Sequence, residues 1–237
     1  DLFELPGELP LLLNQTRALS AALARLAETM TDRMMDQIRV ASEPGVPQEG
    51  IALELTRWLR MDSLNDVVLH MFHRQLVAVF WRRLDLAKSG SASEVTTTVG
   101  FADLAGFTRL SHRLTSDELA QYLDEFESLT IDTVSEFGGR VIKTIGDEIM
   151  FVADDTSAAV QTGLRLVEVV AQSSNLTALR VGLARGPVVV RRGDYFGDAV
   201  NKAARLTSYA HPNSVLASNT VKQDAPDAAH SWWFAWA

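Results

Sequence analysis

Residues 140–152 read RVIKTIGDEIMFV, and this stretch predicts two short strands joined by a tight turn. The first strand is Arg140 to Ile145 and the second is Glu148 to Val152. Gly146 permits the turn, which places Asp147 at the tip of a hairpin. The remaining strands and helices are predicted from the segments on either side of this hairpin.

The segments on both sides of this hairpin alternate between strand and helix patterns. Thr115-x-x-Glu118 forms a capping box, which predicts a helix that runs to about Phe137 and stops at Gly138-Gly139. Further strands are predicted at 95–104, 179–184, near 188 and near 215, and further helices at about 157–171 and 199–209. This order of elements predicts an α+β sandwich.

Residues 1–90 carry helical patterns but no visible chemistry. Their apolar residues recur every three or four positions, which predicts helices that each bury one face. The small and polar segment Lys88–Glu94 predicts a linker. We therefore expect an all-α domain at 1–90, with a regulatory or dimerising role, and a second domain at 95–237.

The signal that acts on the first domain is left open by its sequence. His70 and His73 lie one helical turn apart and imidazoles change charge near neutral pH, so proton sensing is conceivable. The Leu- and Met-rich faces could bind a membrane lipid or fatty acid, although core packing explains them equally well. Surface or packing roles also explain the two histidines.

The composition excludes several classes of protein. The chain of 237 residues is 47% apolar and 22% charged, as in soluble globular proteins. It has no cysteine, so a bound metal would need oxygen or imidazole ligands, which favours Mg²⁺ or Mn²⁺. A net charge of −8 argues against nucleic-acid binding. The apolar runs fall short of the roughly 20 residues that cross a membrane and no signal peptide is visible, so we expect a cytoplasmic protein without a transmembrane segment.

The first candidate site motif is Phe101-Ala-Asp103-Leu-Ala-Gly106-Phe107-Thr108. It places a carboxylate at the end of an apolar strand, followed by a tight turn into a helix. A carboxylate there can bind a metal, while the backbone N–H groups that follow it face the phosphates that the metal also binds. An Asp that only caps a turn would give the same short pattern.

The second motif is the hairpin itself. Asp147 at its tip could complete a two-metal site with Asp103 if the tip lies beside the end of the first strand. Strand alternation places Lys143 and Ile145 on one face and Thr144 on the other, so Lys143 puts a positive charge in or beside a groove. A solvated surface turn is the alternative interpretation.

The third motif spans residues 194–205 and contains Asp194, Asn201 and Arg205. Four residues separate Asn201 from Arg205, so on a helix both side chains lie on one face, one turn apart, where they can bind one ligand. The planar donors of an arginine match phosphate oxygens, and its charge stabilises a phosphoryl-transfer transition state. An ordinary polar helix face is the alternative.

Together the three motifs, between about Val95 and Val221, resemble the class III adenylyl and guanylyl cyclase catalytic domain. The order of elements agrees as well, and the resemblance implies a ferredoxin-like fold. The region before residue 95 is similar to the N-terminal region of some soluble bacterial, particularly mycobacterial, cyclases. The resemblance implies a role for six residues: Asp103 and Asp147 as metal ligands, Lys143 and Asp194 as the adenine-selecting pair, Asn201 as the ribose-orienting residue, and Arg205 as the transition-state arginine.

The implied activity is that of an adenylyl cyclase, which converts ATP into 3′,5′-cyclic AMP and pyrophosphate. The implied cofactors are two divalent ions, Mg²⁺ or Mn²⁺, and the ribose 3′ oxygen attacks the α-phosphorus in line. The resemblance also implies a site between two catalytic domains, with the two metal aspartates from one chain and the other four residues from its partner. A homodimer would then form two equivalent sites, and a monomer should be inactive.

Other functions fit the sequence less well. A catalytically silent dimerisation or nucleotide-sensing module on the same fold is the main alternative, although neither metal aspartate is lost. The sequence does not support a diguanylate cyclase, because the Gly-Gly-Asp/Glu-Glu-Phe signature is absent. It does not support a P-loop kinase or ATPase either, because no G-x-x-x-x-G-K-[ST] motif occurs. Family domains usually continue with further β structure, whereas this sequence stops at Ser231–Ala237, an aromatic cluster that is either a docking strand or the stump of a truncated region that lacks its C-terminal strands.

Overall fold

The computed structural model describes residues 24, 28, 68–70, 72–74, 76, 77, 80, 94–191 and 193–228. The chain divides into two compact units, Asp1–Leu84 and Asp85–Ala237. Each described residue of the first unit is helical, and its apolar side chains at positions 69, 72, 76, 77 and 80 are exposed. The remaining predictions for residues 1–93, including the linker, and those for 229–237 lie outside the described residues.

Six strands and five helices occur between residues 94 and 228, residue 192 apart. The strands are β1 (Glu94–Leu104), β2 (Arg140–Ile145), β3 (Glu148–Ala153), β4 (Leu179–Arg191), β5 (Asp194–Phe196) and β6 (Ser214–Ala217). The helices are α1 (Phe107–Ser111), α2 (Ser116–Glu136), α3 (Thr156–Gln172), α4 (Asp198–Tyr209) and α5 (Asn219–Asp224). From β1 to β4, the short α1 apart, the elements follow the βαββαβ order of ferredoxin-like folds.

The central strand of the sheet is β1. The strand order is β2-β3-β1-β4-β5 with antiparallel neighbours, and β6 pairs in parallel with β4. In this register Asp103 of β1 lies opposite Glu148 of β3 on one side and Arg180 of β4 on the other. The sheet therefore brings three charged residues side by side at one end of its central strands.

Apolar residues cover both faces of the sheet. One face packs against α2 and α3, where Phe126, Phe151 and Leu166 are fully buried. The opposite face packs against α4, where Val99 and Ala203 are fully buried. The predicted mixture of packed helices and strands is therefore confirmed, with helices on both faces of one sheet.

Helix α4 lies very close to β4. A Cβ added at Gly182 would stand 2.3 Å from the backbone N of Thr207 and 2.5 Å from the carbonyl oxygen of Ala203. Glycine alone allows a helix to approach a strand this closely. The hydroxyl of Thr207 also donates to the carbonyl oxygen of Phe101 on β1, at 3.3 Å. These contacts fix the helix that carries two of the candidate site residues.

The signals that delimit α2 are confirmed. The hydroxyl oxygen of Thr115 accepts from the N–H of Glu118 at 3.3 Å, and the Glu118 carboxylate accepts from the N–H of Thr115 at 2.8 Å. The backbone N–H and the hydroxyl of Thr115 both donate to this carboxylate and lower the pKa of Glu118. Gly138 follows the helix with φ of 71°, a conformation that favours glycine at a helix end.

Three features of the sheet differ from the sequence-based expectations. The continuous strand β4 replaces the two strands predicted at 179–184 and near 188. Strand β5 forms where the sequence predicts none, because three residues carry too little pattern to signal a strand. A β-bulge interrupts the pairing of β2 with β3 between Val141 and Lys143. All three features depend on pairing with distant strands.

Among the described residues, no helix is long and apolar enough to cross a membrane. The cytoplasmic location stays a prediction.

Candidate active site

The two predicted metal aspartates meet at one end of the sheet. Asp103 is the second-last residue of β1, and Asp147 lies in the turn between β2 and β3. The N–H of Leu104 donates to the carbonyl oxygen of Asp147 at 3.2 Å, which holds this turn against β1. Gly146 has φ of 62°, in the left-handed region that glycine adopts readily. The structure thus places the hairpin tip beside the end of β1.

Two carboxyl groups at this end of the sheet, those of Asp103 and Glu148, have raised pKa values. Burial raises the pKa of Asp103, and the nearby carboxylate of Asp147 raises it further. The guanidinium of Arg180 donates to Oδ2 of Asp103 and opposes this rise. Burial, together with Asp103 and Asp147, also raises the pKa of Glu148. An added cation would therefore stabilise the ionised carboxylates.

The ligand atoms at this place fit Mg²⁺ or Mn²⁺. Asp103 and Asp147 supply carboxylate oxygens, which hard divalent ions prefer. In the described part of the chain, no group of three or more acidic or histidine side chains could enclose a metal. Mg²⁺ is usually held by one or two carboxylates together with substrate phosphates, rather than by a protein cage. The aspartate pair therefore suits metal ions whose remaining ligands are oxygens of a bound phosphate.

The turn after Asp103 is held in place by the backbone. The N–H of Ala105 donates to the carbonyl oxygen of Ala178 at 2.7 Å, and Gly106 adopts φ of 83° just before α1. The ring of Phe107 stacks on Tyr122 with centroids 5.8 Å apart. The first N–H groups of a helix have no partner within it, which leaves those of Phe107 and Thr108 for an acceptor outside α1. Phosphate binding by residues 106–108 stays a prediction.

Lys143 and Asp194 form an ion pair. The Lys143 ammonium donates to Oδ1 of Asp194 at 2.9 Å and to Oδ2 at 2.7 Å, and both side chains are about one-third exposed. Burial works against the ionised form of Asp194, but hydrogen bonds from Lys143 and from the N–H of Tyr195 hold its pKa below the usual value. Since β2 and β5 are the outer strands in the sheet order, the pair joins two edges of a curved sheet.

Asn201 and Arg205 lie on the exposed side of α4, one turn apart, as predicted. They line a cavity of about 300 Å³. Within the described part of the chain, the Arg205 guanidinium makes no ion pair. Its donors are therefore available to a ligand. The full lining of the cavity is Asp198, Asn201, Lys202, Arg205, Leu206 and Tyr209.

The predicted site residues fall into three separate groups within one chain. The groups are the aspartate pair, the Lys143–Asp194 pair, and the cavity on α4. For residues 94–191 and 193–228, no hydrogen bond or ion pair connects one group with another. Each pair is assembled by the fold, but the three groups do not form one site through direct contacts in a single chain.

Two arginines of this region do not stand out in the sequence motifs. Arg180 lies opposite Asp103, and Arg140 contacts Tyr195, the neighbour of Asp194. Both are half-buried, and the Nε of each is buried without a hydrogen-bond partner among the described residues. A charged residue beside an apolar strand, as in Leu179-Arg180-Val-Gly-Leu183, is the signal that could have revealed Arg180.

The chain is similar to cyclases in sequence. The sequence model described as "Adenylate and Guanylate cyclase catalytic domain" matches residues 89–227. An adenylate cyclase from Streptomyces griseus is 35% identical over 215 residues, which cover 91% of this chain and 54% of that protein. A pH-sensitive adenylate cyclase from Mycobacterium tuberculosis (strain CDC 1551 / Oshkosh) is 33% identical over 230 residues, which cover 93% of this chain and 56% of that protein. The chain thus spans about half the length of the curated relatives it matches.

The fold is also similar to a solved cyclase structure. The catalytic core of a rhodopsin-guanylyl cyclase with converted specificity, in complex with ATPαS, aligns with a TM-score of 0.53 and 26% identity. The alignment covers 56% of this chain and 83% of that one. The sequence match at 89–227 contains all three groups of candidate site residues.

Proposed function

Since this chain belongs to the family of adenylate and guanylate cyclase catalytic domains, we propose that it is an adenylyl cyclase that converts ATP into 3′,5′-cyclic AMP and pyrophosphate. The observation that carries the choice of ATP is the ion pair between Lys143 and Asp194. Adenine presents an acceptor at N1 beside a donor at its 6-amino group. A lysine donor next to a carboxylate acceptor matches this pattern.

Guanine presents the opposite pattern at the same edge. Its N1 carries a hydrogen and its 6-position is a carbonyl oxygen, so it would leave a donor facing Lys143 and an acceptor facing Asp194. A polar site rejects the wrong ligand because its own groups then lose their partners. The hydrogen bonds that lower the pKa of Asp194 stabilise its ionised carboxylate, which only accepts hydrogen bonds.

We assign Asp103 and Asp147 as the ligands of two divalent ions, Mg²⁺ or Mn²⁺. When bound, such ions neutralise triphosphate charge and lower the pKa of the ribose 3′-hydroxyl. Arg180 orients the carboxylate of Asp103 and has further N–H donors for a phosphate oxygen. The N–H groups of Gly106, Phe107 and Thr108 offer donors to the same phosphates.

The residues of α4 act on the reacting atoms. Asn201 hydrogen-bonds the ribose and aligns the 3′ oxygen with the α-phosphorus. As the 3′ oxygen bonds to that phosphorus, the bond to the bridging oxygen of pyrophosphate breaks, and the hydroxyl proton is lost to solvent. Arg205 donates to the oxygens on which charge develops, and its unpaired guanidinium beside a cavity supports this role.

The proposed site lies between two copies of the chain. One copy supplies Asp103 and Asp147, and the other supplies the base-selecting pair and α4. In the described part of the chain the aspartate pair makes no hydrogen bond or ion pair with either other group, which supports this arrangement. A homodimer with two-fold symmetry would form two such sites.

The purified chain tests the activity directly. With ATP and Mg²⁺ or Mn²⁺ we expect cyclic AMP and pyrophosphate in equal amounts, with GTP used at least about 100-fold less efficiently. A chelator should abolish the reaction because the triphosphate charge would no longer be neutralised. Product analysis by chromatography checks both points. Absence of any cyclic nucleotide from a demonstrated dimer would favour a silent nucleotide-binding module instead.

We further propose that residues 1–90 regulate the catalytic domain and contribute no catalytic group. All six assigned residues lie beyond residue 94, whereas His70 and His73 are exposed on a helix of the first unit. A relative is named a pH-sensitive adenylate cyclase, which supports a proton signal rather than a lipid. In the full chain, His70→Ala/His73→Ala should flatten the dependence of cyclic AMP formation on pH between about 5.5 and 8. An unchanged profile would exclude these histidines as the sensor.

A further inference from the structure

A β-bulge places two cations of β2 on the same face of the sheet. Arg140 pairs with Val152 and Lys143 with Met150, and both of these partners belong to the core on the α4 side. Residues three apart on a regular strand point to opposite faces. The extra residue, Ile142, shifts the alternation of side chains along β2 by one position, so Arg140 and Lys143 point to the same face. Arg140 and Lys143 therefore both face β5.

Arg140 is held by the end of β3. Its NH1 donates to Oδ2 of Asp154 at 3.0 Å, and its NH2 lies 3.4 Å from Oδ1 of the same carboxylate. The fully buried Thr97 of β1 donates to Oδ1 of Asp154 at 3.2 Å and to the carbonyl oxygen of Ala153 at 3.0 Å. The position of the guanidinium is thus fixed by the central part of the sheet.

The same guanidinium contacts β5. NH2 of Arg140 donates to the hydroxyl oxygen of Tyr195 at 3.2 Å. Tyr195 is 6% exposed and packs in the core beneath α4. Its backbone N–H donates to Oδ1 of Asp194 at 2.8 Å, and Lys143 binds the same carboxylate. Two residues of β2 therefore hold two consecutive residues of β5, in a closed ring of contacts.

We propose that Arg140 is a positioning residue for base selection, which acts through Tyr195 to hold the Asp194 carboxylate where it meets the base. The proposal rests on the proposed function, in which Asp194 and Lys143 select adenine. Arg140 does not touch the base itself. Its guanidinium fork binds Asp154 and Tyr195 at once, which a lysine ammonium on a flexible stem cannot reproduce.

Two variants separate this role from general stability. Arg140→Lys keeps the charge but loses the fork, and Tyr195→Phe removes only the hydroxyl that Arg140 binds. In each full-length variant we expect the preference for ATP over GTP in kcat/KM to fall about tenfold, mainly through a higher KM for ATP, with kcat changed less than about threefold. The double variant should be no worse than either single one, because both remove the same contact.

Arg165→Lys is the matched control. Arg165 also pairs with a carboxylate, that of Glu168 at 2.8 Å, but on the exposed side of α3. Arg165→Lys makes the same chemical change as Arg140→Lys. The preference of this control for ATP over GTP should equal that of the wild type. Thermal unfolding of all variants measures stability separately from base preference. If Arg140→Lys fails to fold, Tyr195→Phe alone decides the outcome.

A third set of variants distinguishes failure of this proposal from failure of the proposed function. Lys143→Glu/Asp194→Ser should lose adenine preference strongly. If it does so while Arg140→Lys and Tyr195→Phe stay within about twofold of the wild type, Arg140 has no positioning role. If this double variant also keeps its preference, the assignment of the base-selecting pair is wrong. Should the wild type form no cyclic product, the ratio of Kd values for 3′-deoxy-ATP and 3′-deoxy-GTP measures the same preference without turnover.

Discussion

Asp103→Ala and Asp147→Ala are each expected to lower kcat for cyclic AMP formation by on the order of 10²-fold or more. Each substitution removes a carboxylate from the proposed metal site, where burial and, to a smaller extent, the carboxylate of Asp147 raise the pKa of Asp103. Neither residue is part of the apolar core. We therefore expect the dimer to persist in both variants.

The two substitutions differ in what they leave behind. Asp103→Ala leaves the half-buried Arg180 without its carboxylate, so some loss of stability is expected there. Asp103→Asn keeps an acceptor for Arg180 and should be equally inactive but closer to the wild type in thermal unfolding. Asp132→Ala, on the exposed side of α2, is the matched control and should keep full activity. Near-wild-type turnover in Asp103→Asn or Asp147→Ala would contradict the metal assignment.

Arg205→Ala is expected to lower kcat about 10²- to 10³-fold with a much smaller change in the KM for ATP. The reason is that the guanidinium binds oxygens on which charge grows only in the transition state. Arg205 is exposed and makes no ion pair with the described carboxylates, so the free energy of unfolding should stay close to that of the wild type.

Steady-state kinetics of Arg205→Ala beside Arg165→Ala measures this effect against a partly exposed arginine on another helix. A large rise in KM with unchanged kcat would assign Arg205 to ground-state binding only. Equal activity of both variants would exclude Arg205 from the site.

Local sequence signals were sufficient for most of the fold. The capping box at Thr115 and Glu118 defines the start of α2 within a few residues, because the signal and the structure it produces are adjacent in sequence. The hairpin at Gly146-Asp147 follows from a glycine that adopts positive φ. Such elements need no knowledge of distant strands.

Features that depend on long-range pairing could not be predicted in the same way. The bulge at Ile142 is defined only by the partner residues on β3, so simple alternation would have placed Arg140 and Lys143 on opposite faces. The contact between Arg180 and Asp103 joins residues 77 positions apart, through the register of β1 with β4. Neither relation leaves a local pattern in the sequence.

Within the candidate site, spacing in the sequence predicts which residues share a helix face but not the contacts that link distant residues. The four-residue spacing predicts correctly that Asn201 and Arg205 share one face of α4. Spacing says nothing, however, about Tyr195, whose hydroxyl and backbone N–H link Arg140 with Asp194. Predictions for the N-terminal domain fall mostly outside the described residues and stay predictions.

In the proposed dimer, one chain supplies the metal aspartates and a second copy supplies the remaining residues of each site. Mixing Asp103→Ala with Arg205→Ala tests it most directly. In the mixed dimer, one site carries both substitutions and the other carries neither. After subunit exchange we expect activity to rise well above that of either variant alone, to about one-quarter of the wild-type value when half of the dimers are mixed and each has one intact site of two. No recovery in demonstrated mixed dimers would contradict a site shared between two chains.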